Sequence, residues 1–164
     1  MYKIKDNYKI IITIILIMFA EWVVLKQYYN YIPNEPPNLN IAYKGKDIKL
    51  CNADYNWFDK NSGGNSNIYG DPFKALENYD AVEVSNEGSL EYSFSKKPVV
   101  VSVILFKPDG SEWKTYDRYY KFYSDKKEDR ILSLPKEKGM YIMMVDGEWD
   151  ETHNTSNVFK VSVN

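Results

Sequence analysis

The sequence predicts an all-β protein, an immunoglobulin-like antiparallel β-sandwich of about eight strands with one short helix, preceded by an N-terminal transmembrane helix. Three observations predict it. Apolar runs of strand length recur at roughly 8–12-residue spacing, with Gly, Pro, Asn and Asp between them. Aromatic residues make up 16% of the 164-residue chain, including 15 Tyr, and aromatic side chains suit a pleated, half-buried surface. Residues 10–25 are apolar apart from Thr13 and Glu21, whereas the remainder has the mixed polarity of a globular domain.

The N-terminal run decides location. Its flank carries Lys3, Lys5 and Lys9, while only Lys26 follows closely. The positive-inside rule then makes residues 1–9 a cytoplasmic N-terminus, residues 10–26 a single-pass signal-anchor in the cell membrane, and the C-terminal domain extracytoplasmic. The membrane partner is the lipid bilayer itself. A cleaved signal peptide is the rival reading, but Met18 stands where a cleavage site wants a small residue, and cutting after Ala20 leaves an apolar new terminus. Residues 27–38 contain Pro33, Pro36 and Pro37, a density that resists helix and favours a semi-rigid spacer holding the domain off the membrane.

The domain is expected over residues 39–164. Residues 39–43 and 47–51 flank Lys44-Gly45-Lys46 as a hairpin or two edge segments. Residues 52–58 lead into a turn-rich loop over 59–67. Asp71 and Pro72 supply an N-cap and first helical residue for about two helical turns. Residues 81–85 and 90–95 alternate apolar and polar. Residues 98–106 are apolar and β-branched enough for a central strand covered on both faces or nearly so. Lys107-Pro108-Asp109-Gly110 is a turn, and residues 113–123 form an aromatic-rich strand. Three closing strands follow, over 131–134, 140–149 and 158–163, with a polar loop over 150–156 and Trp149 facing the Phe159 strand. Leu134-Pro135 through Gly139 is an inter-strand turn; it lacks the Thr and the hydrophobic tail of a wall-sorting signal.

Charge and composition exclude several functions. Net charge is −2; the first 38 residues hold four of 21 Lys+Arg and three of 23 Asp+Glu, leaving the domain 17 against 20. No basic footprint for nucleic acid exists. The single cysteine, Cys51, supports neither an internal disulfide nor a cysteine metal site. The single histidine, His153, has Asp146, Glu148, Asp150 and Glu151 nearby in sequence, but their spacing matches no ordered ligand set, and a run of polar residues reads as a solvated turn. No catalytic residue, metal or cofactor is assigned. Aromatics in turn-rich segments are the candidates for stacking on a ligand or partner, foremost Tyr55, Trp57 and Tyr69, with Trp113 beside them.

Tyr55-Asn56-Trp57 after an early strand, Lys96-Lys97-Pro98 before the Val-rich strand, Leu134-Pro135 through Gly139-Met140-Tyr141, Trp149 and the Phe159-Lys160-Val161 ending resemble features of a group of membrane-anchored or lipoprotein-like extracellular proteins of Bacillus- and Clostridium-type bacteria. The resemblance spans most of residues 41–163 and implies location and fold, with no agreed activity. Members often carry a lipid-attachment Cys and a Cys beside the early Trp; this chain has neither. The expected function is a non-catalytic, membrane-anchored binding or accessory module of the envelope, its partner an envelope protein or wall component. The alternatives are a surface inhibitor or immunity factor presenting the 59–70 loop, and a metal-dependent hydrolase built on His153.

Overall fold

Strict apolar–polar alternation is what assembles the domain. In the computed structural model, which describes residues 3–59, 63–68, 70–107, 109, 111–119 and 130–164, the chain divides into two units, residues 1–32 and 33–164.

The first unit is one helix, α1 (Lys3–Asn30). Its segment Tyr8–Gln27 is 20 residues long with mean hydropathy 2.2 and none of it buried. At 1.5 Å per residue that is about 30 Å, enough to cross a hydrocarbon core. Thr13 Oγ1 donates to the Lys9 carbonyl at 3.0 Å, so the one hydroxyl in the apolar run is satisfied within the helix. The helix continues four residues beyond the expected anchor, to Asn30. It ends ahead of Pro33, since the residue before a proline is disfavoured in helix.

The second unit is a sandwich of two sheets. One has the order β2 (Lys46–Asp47), β1 (Leu39–Tyr43), β6 (Ser89–Phe94), β9 (Ile131–Ser133). The other has β4 (Gly63–Asn67), β3 (Cys51–Asp59), β11 (His153–Val163), β10 (Gly139–Asp150), β7 (Val100–Phe106), β8 (Glu112–Tyr119), with β5 (Val82–Val84) also on β11. The strands outnumber the expected eight because short edge pieces pair as well. The β5–β11 pair is parallel, a departure from the all-antiparallel expectation: β3 and β5 occupy successive stretches of one β11 edge and run in opposite directions.

The core lies between the sheets. Leu90 and Tyr92 from β6, Val101, Val103 and Leu105 from β7, Tyr141, Met143 and Val145 from β10, and Phe159 and Val161 from β11 are all at most 4% exposed. Fully burying each such side chain stabilises by about 1.5–3 kcal/mol before the entropy of ordering is subtracted. The opposite face of the large sheet is covered over one half only. There α2 (Pro72–Ala75) and its continuation bring Phe73 and Leu76 onto Cys51, Ala53, Ile142, Met144, Phe106 and Val158. Asp71 caps α2, its carboxylate accepting from the N–H of Phe73 and Lys74. The helix is shorter than the two turns expected, because the chain leaves it at Leu76.

Three further expectations change. Strand β7 buries Val101, Val103 and Leu105 and leaves Val100, Ser102, Ile104 and Phe106 half-buried, because α2 does not reach across the whole outer face. Residues 63–67, read as loop, pair with β3 from Asn67–Tyr55 to Gly63–Asp59. The polar run from His153 onward is strand, held by β10 on one side and β3 on the other. Pro108, Gly110 and residues 120–123 of the expected turn and strand lie outside the described residues.

At the start of β10, the Tyr141 hydroxyl donates to the Glu137 carbonyl at 3.1 Å, closing the turn that enters the strand. Desolvation, with Glu137 adding to it, pushes the phenol's pKa above its ordinary value. Replacing Tyr141 with Phe keeps the ring and removes the bond; urea denaturation should show a loss of about 1 kcal/mol.

Candidate functional site

The inner face of the large sheet becomes aromatic toward the β10–β11 turn. Trp57 on β3 is paired with His153 on β11, so both side chains share one face. A register shift between Glu148 and Asp150 leaves Trp149 unpaired in the ladder, a bulge. Trp57 meets Trp149 at 5.2 Å between centroids and 71°, and His153 at 4.7 Å and 80°. Trp149 in turn meets Phe94 of the small sheet at 5.5 Å and 85°. These are the edge-to-face geometries that aromatic quadrupoles favour. Gly147 makes the approach possible: a Cβ there would lie 2.9 Å from Phe94 Cζ and 3.0 Å from Trp149 Cη2.

Both indoles are also anchored. Trp149 Nε1 donates to the Lys96 carbonyl at 3.2 Å, and Trp57 Nε1 to the Pro33 carbonyl at 2.9 Å. The second bond fixes the proline-rich segment to the sheet. Five residues on, the Asn38 N–H donates to Ser95 Oγ at 3.0 Å and the Asn38 carbonyl accepts from the Ser95 N–H at 2.9 Å. Residues 33–38 are therefore a strap lying on the domain, with Pro37 buried, where a spacer was expected.

Between strap and sheet runs a groove of about 370 Å³. Glu35, Pro36 and Pro37 form one wall, and Tyr55, Asn65 and Thr155 contribute to the other. Thr155 stands in the cross-strand row of Tyr55 and Gly147, the row that faces inward. Thr155 is 6% exposed, and its hydroxyl is a buried side-chain polar atom with no hydrogen-bond partner among the described residues.

On the outer face a row of paired residues, Asp54, Ser156, Asp146 and Ser102, crosses four strands. Ser156 Oγ donates to Asp146 at 2.6 Å. A shallower depression of about 240 Å³ lies over this part of the sheet.

At the β10–β11 turn, Asp150 Oδ1 accepts from the Thr152 N–H at 2.8 Å and the Thr152 hydroxyl at 3.0 Å, and lies 2.8 Å from His153 Nδ1. Burial pushes the Asp150 carboxyl up, but the bonds from Thr152 and His153 outweigh it and hold the group below the usual carboxylate range. Thr152 Oγ1 is itself 3.1 Å from that same Nδ1. A hydrolytic triad needs carboxylate and nucleophile on opposite ring nitrogens; here both face one. Among the described residues, no group of three or more His, Cys, Asp and Glu side chains is placed to hold a metal ion.

The sequence-derived candidates separate. Tyr55 is half-buried and lines the groove. Trp57 is 4% exposed, with rings packed on it from two sides. It is a structural anchor, and its burial removes the paired Tyr55–Trp57 stacking platform. Tyr69 lies outside the described residues, and Trp113 is placed on β8 by its backbone. His153 is 9% exposed at the first position of β11, in place of the expected solvated loop. Thr155, Asn65 and the strap were missed. The signal available for Thr155 was the alternation of His153, Thr155 and Asn157, all buried polar residues. No protein-family model matches the chain, and no curated protein matches it significantly.

The Asp150 carboxylate has a lowered folded-state pKa, so its contribution to stability is present above the unfolded value of about 3.9 and is lost as pH falls through the folded one. Urea unfolding at a series of pH values should show wild type more stable than Asp150→Ala near neutrality, with the gap narrowing as pH drops below about 4. A pH-independent gap would contradict this assignment.

Proposed function

We propose that the protein is a single-pass, membrane-tethered immunoglobulin-like module that binds an envelope component outside the cytoplasm and has no chemistry of its own. Two features support the immunoglobulin-like attribution. The order β8-β7-β10-β11 in one sheet and β1-β6-β9 in the other matches the placing of C′, C, F and G opposite A, B and E. The Tyr141–Glu137 bond at the start of the strand in the F position is that of a tyrosine corner. Met143 then stands two residues on, fully buried, where antibody domains carry the second cysteine of their disulfide.

The tether rests on α1, with an apolar run over residues 10–25 preceded by Lys3, Lys5 and Lys9, which by the positive-inside rule orients residues 33–164 outward. The observation that carries a binding role is the groove beneath the strap, a concave polar site with an unsatisfied buried hydroxyl on its wall. Buried polar groups are normally paired, and a site that leaves one open is suited to receive a ligand group.

Protease added to intact spheroplasts should digest the domain and leave a membrane-embedded fragment of the mass of the N-terminal helix. Survival of the full-length chain until the membrane is permeabilised would overturn the topology.

A further inference from the structure

The groove's lining is selective about charge. Asn38, Asn52, Asn65 and Asn157 line it together with Thr155 and with Ser156, whose hydroxyl is engaged by Asp146. Glu35 and Asp54 are the ionisable acids there, and none of the described lining residues is basic. Such a wall repels phosphate and carboxylate and offers acceptors to O–H and N–H donors. Among the described residues the apolar side chains lining it are Tyr55, Pro36 and Pro37, and the Tyr55 ring is a flat face of the kind that packs on the C–H face of a pyranose. A peptide ligand would call for apolar side-chain pockets or an unpaired strand edge; β4 pairs β3 along residues 55–59 and leaves 51–54 as the stretch a peptide could use, which the peptide arm of the titration below tests.

We infer that the groove between the strap and strands β3 and β11 is a binding site for an uncharged saccharide bearing hydroxyl and acetamido groups, with the Thr155 hydroxyl as a ligand contact. This rests on the reading of the domain as a binding module and names its ligand class. Recognition is by hydrogen bonding within the groove, with Tyr55 the one aromatic contact, and not by the two-aromatic platform that the burial of Trp57 removes. The volume of about 370 Å³ falls in the range of small-ligand sites. The Thr155 hydroxyl, without a hydrogen-bond partner among the described residues, is where specificity is held: a ligand that reaches it is favoured over one that does not.

The full chain in detergent micelles, titrated with an N-acetylglucosamine trisaccharide, with cellotriose and with a short Asn-Gly-rich peptide, tests this by NMR. Saturable shifts of the Tyr55, Asn65 and Thr155 resonances are expected with the acetamido saccharide. Thr155→Val, isosteric and relieved of an unsatisfied hydroxyl, should bind it about tenfold more weakly while melting at the same or a higher temperature. Asn65→Ala, on the exposed strand β4, gives a second variant in which binding should weaken with the fold intact. Absence of saturable shifts with both saccharides, saturation by the peptide alone, or unchanged affinity in both variants would overturn the assignment. The spheroplast experiment reports on the tether separately: a protected domain there would remove the extracytoplasmic reading without altering the titration in micelles.

Discussion

The Trp57 indole is the interaction on which the rest of this domain depends. Its N–H reaches the Pro33 carbonyl, and its ring meets Trp149 and His153 edge to face. Through Trp149 the contact passes to Phe94 on the opposite sheet. One side chain thereby ties together the chain's entry into the domain, the β10–β11 turn and the second layer of the sandwich. Without it the strap would keep, among the described residues, the Asn38–Ser95 pair of bonds, and the groove would lose its proline wall. A buried indole carries both a large apolar surface and a donor that must be satisfied, so the residue that closes the core also fixes where the chain enters it.

The length of the β10–β11 hairpin lets the sheet serve two purposes. Near its open end, inward residues such as Tyr141, Met143, Phe159 and Val161 fill the core, and outward Ile142 and Val158 receive α2. Past Val145 the apolar pattern stops while the ladder continues. Asp146, Ser156, Asn154 and Glu148 then sit on a face that α2 does not cover, and Thr155 and Asn157 on a face that the strap roofs. Backbone pairing, which is indifferent to side-chain type, carries the polar segment; packing against the aromatic cluster holds its position. The two halves of one hairpin are thus a scaffold and a candidate binding surface.

Where a local pattern determines its own environment, the sequence was a sufficient guide. Leu90, Tyr92 and the Val-rich run of β7 declare strands by alternation or β-branching, Asp71-Pro72 declares a helix start by capping chemistry, and the apolar run around residues 10–25 declares a membrane-suited helix. Where structure depends on distant partners the guide failed. Gly63-Gly64-Asn65-Ser66-Asn67 has turn composition and becomes a strand only because β3 offers an edge. The polar residues of β11 read as solvated loop because no local rule announces that β3 and β10 flank them. Trp57 stands among turn formers and is a stacking candidate by that position; in the structure it is buried, with Pro33, 24 positions earlier, folded back on it. The same tertiary contact turned the proline-rich spacer into a strap, and so created a groove that composition alone does not announce. Tyr55 was recognised as a candidate and does line that groove, whereas Thr155 becomes visible only once its neighbours are known.

The central claim is that the Trp57–Pro33 bond clamps the strap onto the sandwich. It is tested most directly by hydrogen exchange at the Trp57 indole N–H in the full chain, followed by NMR. The clamp predicts an indole proton protected to a degree comparable with the backbone amides of β3 and β11 around it. An indole proton that exchanges as fast as one in open solvent, while those amides stay protected, would contradict it.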